Sequence, residues 1–275
     1  MKKINPIFYW PSWFLISLDK KTQRKINIKT LNSLAKAQIY LWDALNIYDD
    51  ILDGSTNAKK LPEANKLFRN FLEIYYRLNL PADFYKLFNS LFVDLDKANQ
   101  EEFNASKIEI QNSLISPPKK YSDFSDLSLL SRKSLALSVG PIAVLYLSGD
   151  PQSINKVKTL KKFFKYALAA KQLSDDSRDW FEDLNNVSLT YPNTLILKLA
   201  QKEKITIDLK NKPEIAYLLF TKVVEEISKN IKLLCKMARE EAKAINIKDS
   251  NPLLLNIVSS LEKAVIKAEK FAKLL

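Results

Sequence analysis

The sequence predicts an all-α protein, and three observations favour this class. Apolar residues recur at intervals of three and four over most of the chain, which is the period of amphipathic helices. Glycine, which β-rich folds use in their turns, occurs only three times in 275 residues. The best strand candidate is a five-residue stretch, 205–209. We therefore expect helices joined by short connections.

The apolar pattern predicts helices in order along the chain, and turn-forming residues mark their boundaries. Gly54 follows the first long helix, Pro81 begins a later one, and Gly149 lies in a turn between two long helices. Pro192, Pro213 and Pro252 each lie near a helix start, where proline is tolerated. The predicted helices cover 28–54, 62–79, 81–105, 123–147, 152–186, 191–202, 213–246 and 250–274.

The N-terminal segment is apolar and aromatic at residues 4–18. Pro6, Pro11 and the lack of a small-residue cleavage site argue against a signal peptide, and the segment is short for a membrane-spanning helix. We expect residues 1–27 to form an aromatic strap over the core of a single domain, 1–275. The alternative is that these aromatic side chains contact a membrane interface. The expected location is cytoplasmic, with membrane association left open.

Composition excludes several kinds of active site. The chain has no histidine and one cysteine, Cys235, so it lacks a Ser-His-Asp triad, an imidazole metal ligand, an internal disulfide and a thiolate zinc cluster. Its scattered glycines form neither a Rossmann fingerprint nor a P-loop. The net charge is +12, but the lysines are dispersed, so we expect a solvated basic surface and no nucleic-acid partner.

The first aspartate cluster (Asp49, Asp50 and Asp53) lies at the end of the first long helix. Asp49 and Asp53 are four residues apart, so their carboxylates share a helical face and repel each other. They also lie near the helix C-terminus, where the helix dipole disfavours anions. A bound divalent cation would remove both penalties, and ligands made only of oxygen suit Mg²⁺.

The second aspartate cluster (Asp175, Asp176, Asp179 and Asp183) lies late in the predicted helix 152–186. Asp175, Asp179 and Asp183 are spaced four residues apart, so they form one ladder of carboxylates. Two such clusters on apolar helices could face one another across a cavity and hold a metal-bound diphosphate.

These motifs carry a family resemblance. The D-D-I-L-D at 49–53 resembles the first aspartate-rich motif of the trans-prenyl diphosphate synthases, and Q-L-S-D-D-S-R-D at 172–179 resembles their second motif. The same segment extended to 183 also resembles the second motif of squalene and phytoene synthases. The chain thus resembles the class I isoprenoid synthases, an all-α superfamily that also includes the terpene cyclases.

The resemblance implies a single-domain helical bundle with a central apolar cavity, Mg²⁺ as cofactor and prenyl diphosphates as substrates. A homodimer is common in the superfamily. The implied metal ligands are Asp49, Asp53, Asp175, Asp179 and Asp183, and the implied catalytic residues are Asp49, Asp50, Asp53, Asp175 and Asp179. The implied substrate-binding residues are Tyr48, Lys59, Lys60, Lys133, Gln172 and Arg178.

The resemblance leaves the reaction open. Head-to-head coupling of two prenyl chains, as in squalene and phytoene synthases, is favoured by the R-D-x-x-E-D run at 178–183. Head-to-tail elongation is less favoured, because the N-terminal basic motif of the elongating enzymes is missing, and a terpene cyclase is a third alternative. NADPH would be required only for a squalene-type reduction. The alternative from another functional class is a non-catalytic helical protein that binds prenyl diphosphate, anionic lipid or nucleic acid.

Overall fold

The computed structural model describes residues 5–52, 56–104, 108–118, 120–149 and 153–274. It contains 76% helix and 3% strand, which confirms the predicted all-α class. The described α-helices are, in chain order, α1 (Trp10–Leu15), α2 (Lys20–Gln23), α3 (Ile28–Leu52), α4 (Leu61–Tyr76), α5 (Ala82–Phe103), α6 (Val139–Ser148), α7 (Ser153–Asn185), α8 (Tyr191–Glu203), α9 (Lys212–Leu218), α10 (Val224–Ala244), α11 (Pro252–Leu254) and α12 (Ser260–Ala272).

Other helical segments and a hairpin connect these helices. Short 3-10 helices cover Pro6–Tyr9, Ala58–Lys60, Leu127–Ser131 and Leu135–Ser138, and π-helical segments cover Leu219–Val223 and Leu255–Ser259. Strands β1 (Glu109–Gln111) and β2 (Leu114–Ser116) form an antiparallel hairpin.

The chain divides into two compact units. The first unit comprises residues 1–98, 132–164 and 239–256, and the second unit comprises residues 99–131, 165–238 and 257–275.

In the first unit the N-terminal segment packs inward. Ile7, Trp10 and Phe14 are at most 5% exposed, and the ring of Trp10 lies 5.4 Å from that of Phe164. Helix α1 contacts α3, α6 and α11. The side-chain amide of Asn251, which caps α11, donates to the carbonyl of Trp13 at 3.0 Å and fastens the two short helices together.

An aromatic cluster joins α4 to α5 in the first unit. Phe71 stacks on Phe88 at 5.6 Å between ring centroids, and Tyr75 stacks on Phe84 at 5.7 Å. Large buried rings dominate packing energetics, and offset ring pairs add roughly 0.5–1.5 kcal/mol beyond their buried area. This cluster therefore supplies much of the apolar burial that holds α4 and α5 together.

The predicted helix 123–147 is wrong over its first half. In place of one α-helix, two short 3-10 helices precede α6. The segment is rich in serine, and its hydroxyls bond to nearby groups: Ser131 donates to the carbonyl of Ser128, and Ser138 to that of Leu135. Serine side chains that bond to neighbouring backbone compete with regular α-helix.

The helices predicted over 213–246 and 250–274 are present without a break over 212–244 and 252–272, but each contains a π-helical segment that was not predicted. The apolar period cannot reveal such a segment in advance, since one extra residue in a turn changes the pattern by little.

The hairpin was not predicted. Its two turn residues, Asn112 and Ser113, both have positive φ, 52° and 72°, as tight two-residue hairpins require. The strand candidate 205–209 forms only an isolated bridge from Asp208 to Leu114, although the Ile115 amide donates to the Ile207 carbonyl at 2.9 Å. Strands of three residues are too short for an alternating pattern to be visible in sequence.

Candidate functional site

The first aspartate cluster lies at the C-terminal end of α3. Asp49 and Asp50 belong to the last turn of this helix, and Asp53 lies outside the described residues. The ammonium of Lys133 lies 2.8 Å from Oδ1 of Asp49. The first unit therefore brings together a carboxylate predicted to bind metal and a lysine predicted to bind diphosphate.

Close packing around α6 positions Lys133. The amide of Gln38, a fully buried α3 side chain, donates to the carbonyl of Leu137 at 2.7 Å. A Cβ atom on Gly140 would lie 2.9 Å from the Gln38 side chain and 3.0 Å from that of Pro11, so a larger residue there would force a neighbouring side chain to shift. This close approach places the segment that begins at Lys133 against α3.

The other predicted residues near this cluster have separate environments. The hydroxyl of Tyr48 donates to Oδ1 of Asn65 on α4 at 2.7 Å, and burial raises the pKa of Tyr48. Lys59 and Lys60 lie in the 3-10 helix before α4, and their side chains are exposed. Tyr48 thus fastens the end of α3 to α4, whereas the two lysines are free to extend into solvent.

The second aspartate cluster lies on α7, in the second unit. Asp175 accepts hydrogen bonds from Lys171, at 2.5 Å, and from Arg178. Asp176 is 8% exposed and accepts from the side-chain amide of Gln172 at 2.8 Å. The carboxylate of Asp175 is therefore neutralised by cations of its own helix.

The remaining carboxylates of the second cluster are more accessible. Asp179 is exposed and Asp183 is half-buried. Both lie on the helical face of Asp175, as the four-residue spacing predicts. Asp179 is therefore the member of the ladder that is most open to a ligand from solvent.

Lys171 is a residue that the sequence analysis missed. Burial lowers the pKa of Lys171, the nearby Arg178 lowers it further, and the Asp179 carboxylate raises it. Its i, i+4 spacing to Asp175 was the available signal, because oppositely charged residues at this spacing pair on a helix. The structure thus assigns a second lysine–aspartate pair to the motif.

A largely apolar pocket of about 320 Å³ adjoins the second cluster within the second unit. Ser174, Ser177 and Arg178 of α7 line it, on a helical face next to that of the carboxylate ladder. Its other walls include Leu219 and Phe220 of the first π-helical segment. A site of this size with few polar groups suits an apolar small molecule.

A wider and more polar cleft, of about 820 Å³, also lies in the second unit. Tyr191 lines it and donates to Oε1 of Glu226 at 2.7 Å, while the amide of Asn230 donates to the Tyr191 hydroxyl at 3.0 Å. Burial and the Glu226 carboxylate both raise the pKa of Tyr191. Tyr191 therefore stays a neutral hydrogen-bonding group that ties α8 to α10.

The metal-ligating capacity of the described residues is limited. Among them, no group of three or more Asp, Glu, Cys or His side chains is arranged to hold a metal ion. Protein-bound Mg²⁺ commonly uses one or two carboxylates and completes its shell with water and substrate phosphates. Asp49, at 49% side-chain exposure, and Asp179 fit that mode of binding.

No helix within the described ranges is long and apolar enough to cross a membrane.

No protein-family model matches the chain, and no curated protein matches it in sequence.

Proposed function

We propose that the protein is a Mg²⁺-dependent class I prenyltransferase that ionises allylic prenyl diphosphates and couples prenyl chains, with head-to-head condensation favoured. Head-to-tail elongation and terpene cyclisation are the alternatives within the same class. The proposal rests on the resemblance of the two aspartate motifs to those of the class I isoprenoid synthases. It assigns both clusters to the same reaction.

The observation that carries the proposal is the ion pair between Lys133 and Asp49. In the free protein each group satisfies the other. Asp49 would hold the metal of a bound Mg²⁺-diphosphate, and Lys133 would donate to a phosphate oxygen. Each group would then face a partner of opposite charge, so neither charge would be left uncompensated.

Several residues of the chain would have distinct roles in this reaction. In the first unit, Asp49 would offer carboxylate oxygens to a metal and Lys133 would donate a charge-assisted hydrogen bond to a diphosphate. In the second unit, Asp179 and Arg178 would have the corresponding roles. Mg²⁺, when bound, would stabilise the negative charge that develops on the departing diphosphate. Asp175, paired with Lys171 and Arg178, orients these two cations.

The apolar pocket beside Arg178 supports the same assignment. Its lining is mostly hydrocarbon, with serine hydroxyls and the guanidinium of Arg178 at its polar part. A prenyl diphosphate is divided in the same way, into a long apolar chain and a multiply charged anionic head. An apolar enclosure also protects an allylic cation from water.

The test is an incubation of the protein with geranyl, farnesyl or geranylgeranyl diphosphate and Mg²⁺, with and without isopentenyl diphosphate and NADPH. Mass spectrometry of the products separates the alternatives. Doubled carbon number indicates head-to-head coupling, a five-carbon increment indicates elongation, and a hydrocarbon of unchanged carbon number indicates cyclisation. Absence of diphosphate release from every substrate would overturn the proposal of catalysis.

A matched pair of variants serves as control. Asp49→Asn should abolish Mg²⁺-dependent release, whereas Asp83→Asn, an exposed carboxylate paired with Lys86 on α5, should leave it unchanged. Both variants should retain the helical circular dichroism spectrum. An equal loss of diphosphate release in both variants would indicate a general electrostatic effect and not a specific role of Asp49.

A second candidate is a protein that binds prenyl diphosphates without turnover. The pairing of Asp175 with two cations favours it, because a metal must displace these cations before it reaches that carboxylate. Binding of a farnesyl diphosphate analogue in the absence of any diphosphate release would support this function over the catalytic one.

A further inference from the structure

The segment of residues 16–29, in the first unit, exposes both apolar and basic side chains to solvent. Ile16 is 54% exposed and Ile28 is 68% exposed, although isoleucine is among the residues most often buried. Neighbouring Leu15, Thr22 and Ile26 are at most 9% exposed. The segment is thus held to the unit by one set of side chains and presents the two isoleucines to solvent.

The same segment is strongly basic. It contains five cations and a single acid, Asp19, so it carries a net charge of +4 out of the chain's +12. The carboxylate of Asp19 accepts from the amide and hydroxyl of Thr22, at 2.9 and 2.6 Å, and caps α2. The exposed cations are Lys20, Lys21, Arg24, Lys25 and Lys29.

Hydrogen bonds fold this segment into one compact feature. The side-chain amide of Gln23, at the end of α2, donates to the carbonyl of Leu18 at 2.6 Å and to that of Ile16 at 3.4 Å. Lys25 donates to the carbonyl of Ser148 at 2.9 Å, which fastens the segment to the end of α6. Exposed Ile16 and Ile28 therefore flank the basic helix α2 at a fixed position.

We propose that residues 16–29 form a docking surface for an anionic lipid bilayer. The isoleucines would enter the boundary between headgroups and acyl chains, and the lysines and Arg24 would contact anionic headgroups. The stacked rings of Tyr9 and Trp13, 5.5 Å apart on the adjoining turn, are of the type enriched at membrane interfaces. A nucleic acid would account for the cations but offers no apolar partner for the isoleucines, so a bilayer fits the surface better.

The experiment is flotation of the full chain with vesicles of phosphatidylcholine, prepared with and without phosphatidylglycerol. We expect binding to the anionic vesicles that weakens with salt, and little binding to the neutral ones. Each basic residue near an anionic surface contributes about 1 kcal/mol, so Lys20→Glu with Lys21→Glu should weaken binding at least about tenfold.

The apolar half of the surface is tested by Ile16→Glu with Ile28→Glu, which should also weaken vesicle binding at least about tenfold. Ile266→Glu with Leu233→Glu, at exposed apolar positions of the second unit, is the matched control and should bind as wild type does. Unchanged binding in both segment variants would overturn the proposal. The proposal would also be overturned if the isoleucine variant still bound vesicles and duplex RNA competed for that binding. The surface would then recognise phosphates alone.

Discussion

Lys133 and Asp49 form an ion pair of 2.8 Å, although the last turn of α3 and the segment before α6 are distant in sequence. Both side chains are partly exposed, at 29% for Lys133 and 49% for Asp49. Exposed ion pairs contribute only about 0–1 kcal/mol to stability. The pair is therefore a weak contributor to folding, and its placement at the first aspartate cluster suits an exchange of partners on ligand binding.

The first prediction separates the contribution of this ion pair to stability from its proposed role in ligand binding. Asp49→Asn and Lys133→Met should each lower the free energy of unfolding by less than about 1 kcal/mol, measured by urea denaturation. Under the proposed function, each should lower turnover at least about 100-fold, measured by diphosphate release. The double variant should lose much less than the product of the two single losses, because residues that act as a unit are not additive. Fully multiplicative losses would show that the two residues act independently.

The second prediction concerns the metal. Mg²⁺ alone would compete with Lys133 for Asp49 and would bring no anion to the ammonium, so it should raise the melting temperature less than Mg²⁺ with diphosphate does. Mg²⁺ with inorganic diphosphate supplies a partner for each group and should raise the melting temperature in a concentration-dependent way. The measurement is differential scanning fluorimetry, with Lys133→Met as the control that loses most of the shift. An equal rise with Mg²⁺ alone would contradict partner exchange.

The third prediction is a pH dependence at Lys171. Burial lowers the pKa of this lysine below its ordinary 10.5, so the unfolded chain binds more protons than the folded chain between the two values. The free energy of unfolding of the wild type should therefore rise with pH in that window, relative to Lys171→Met. Urea denaturation from neutral pH to pH 10.5 tests this. A fall of the wild type relative to the variant would show that the pairing with Asp175 outweighs burial.

The fourth prediction concerns Gly140. Gly140→Ala brings a Cβ atom to 2.9 Å from the buried Gln38 side chain, and such overpacking typically costs about 1–3 kcal/mol. Urea denaturation should show this loss. The cost should shrink in a Gln38→Ala background, where one of the two obstructing side chains is gone. An equal cost in both backgrounds would assign the strain to Pro11, the other neighbour.

The fifth prediction concerns the hairpin. The Ser113 hydroxyl donates to Asp208 at 2.6 Å and is the largest cause of the lowered pKa of that carboxyl. Ser113→Ala should raise the pKa of Asp208 toward its ordinary 3.8, as carboxyl NMR titration would show. Because a carboxyl with a lowered pKa stabilises the fold above its unfolded pKa and loses that contribution as pH falls, the variant should also lose less stability in acid. Ser125→Ala, which affects Asp123, should leave Asp208 unchanged.

Sequence reasoning was most successful where the signal is periodic and long. The apolar period located α3, α4, α5, α7 and α8 to within a few residues, and the four-residue spacing placed Asp175 and Asp179 on one helical face. It failed at 123–138, where serine hydroxyls bond to nearby backbone, and it did not predict the π-helical segments within two correctly located helices. These departures depend on local hydrogen bonds and on packing partners, which a one-dimensional pattern does not contain.

The sequence by itself determined the helical class, because periodic apolar residues and scarce glycine are properties of the chain alone. It also determined which carboxylates share a helical face, since that follows from 3.6 residues per turn. Only the tertiary structure decided that Lys133 meets Asp49, because the two residues belong to segments that are remote in sequence and become neighbours only on folding. The same holds for the pocket beside Arg178, whose walls come from segments remote in sequence and become neighbours only when their apolar faces pack.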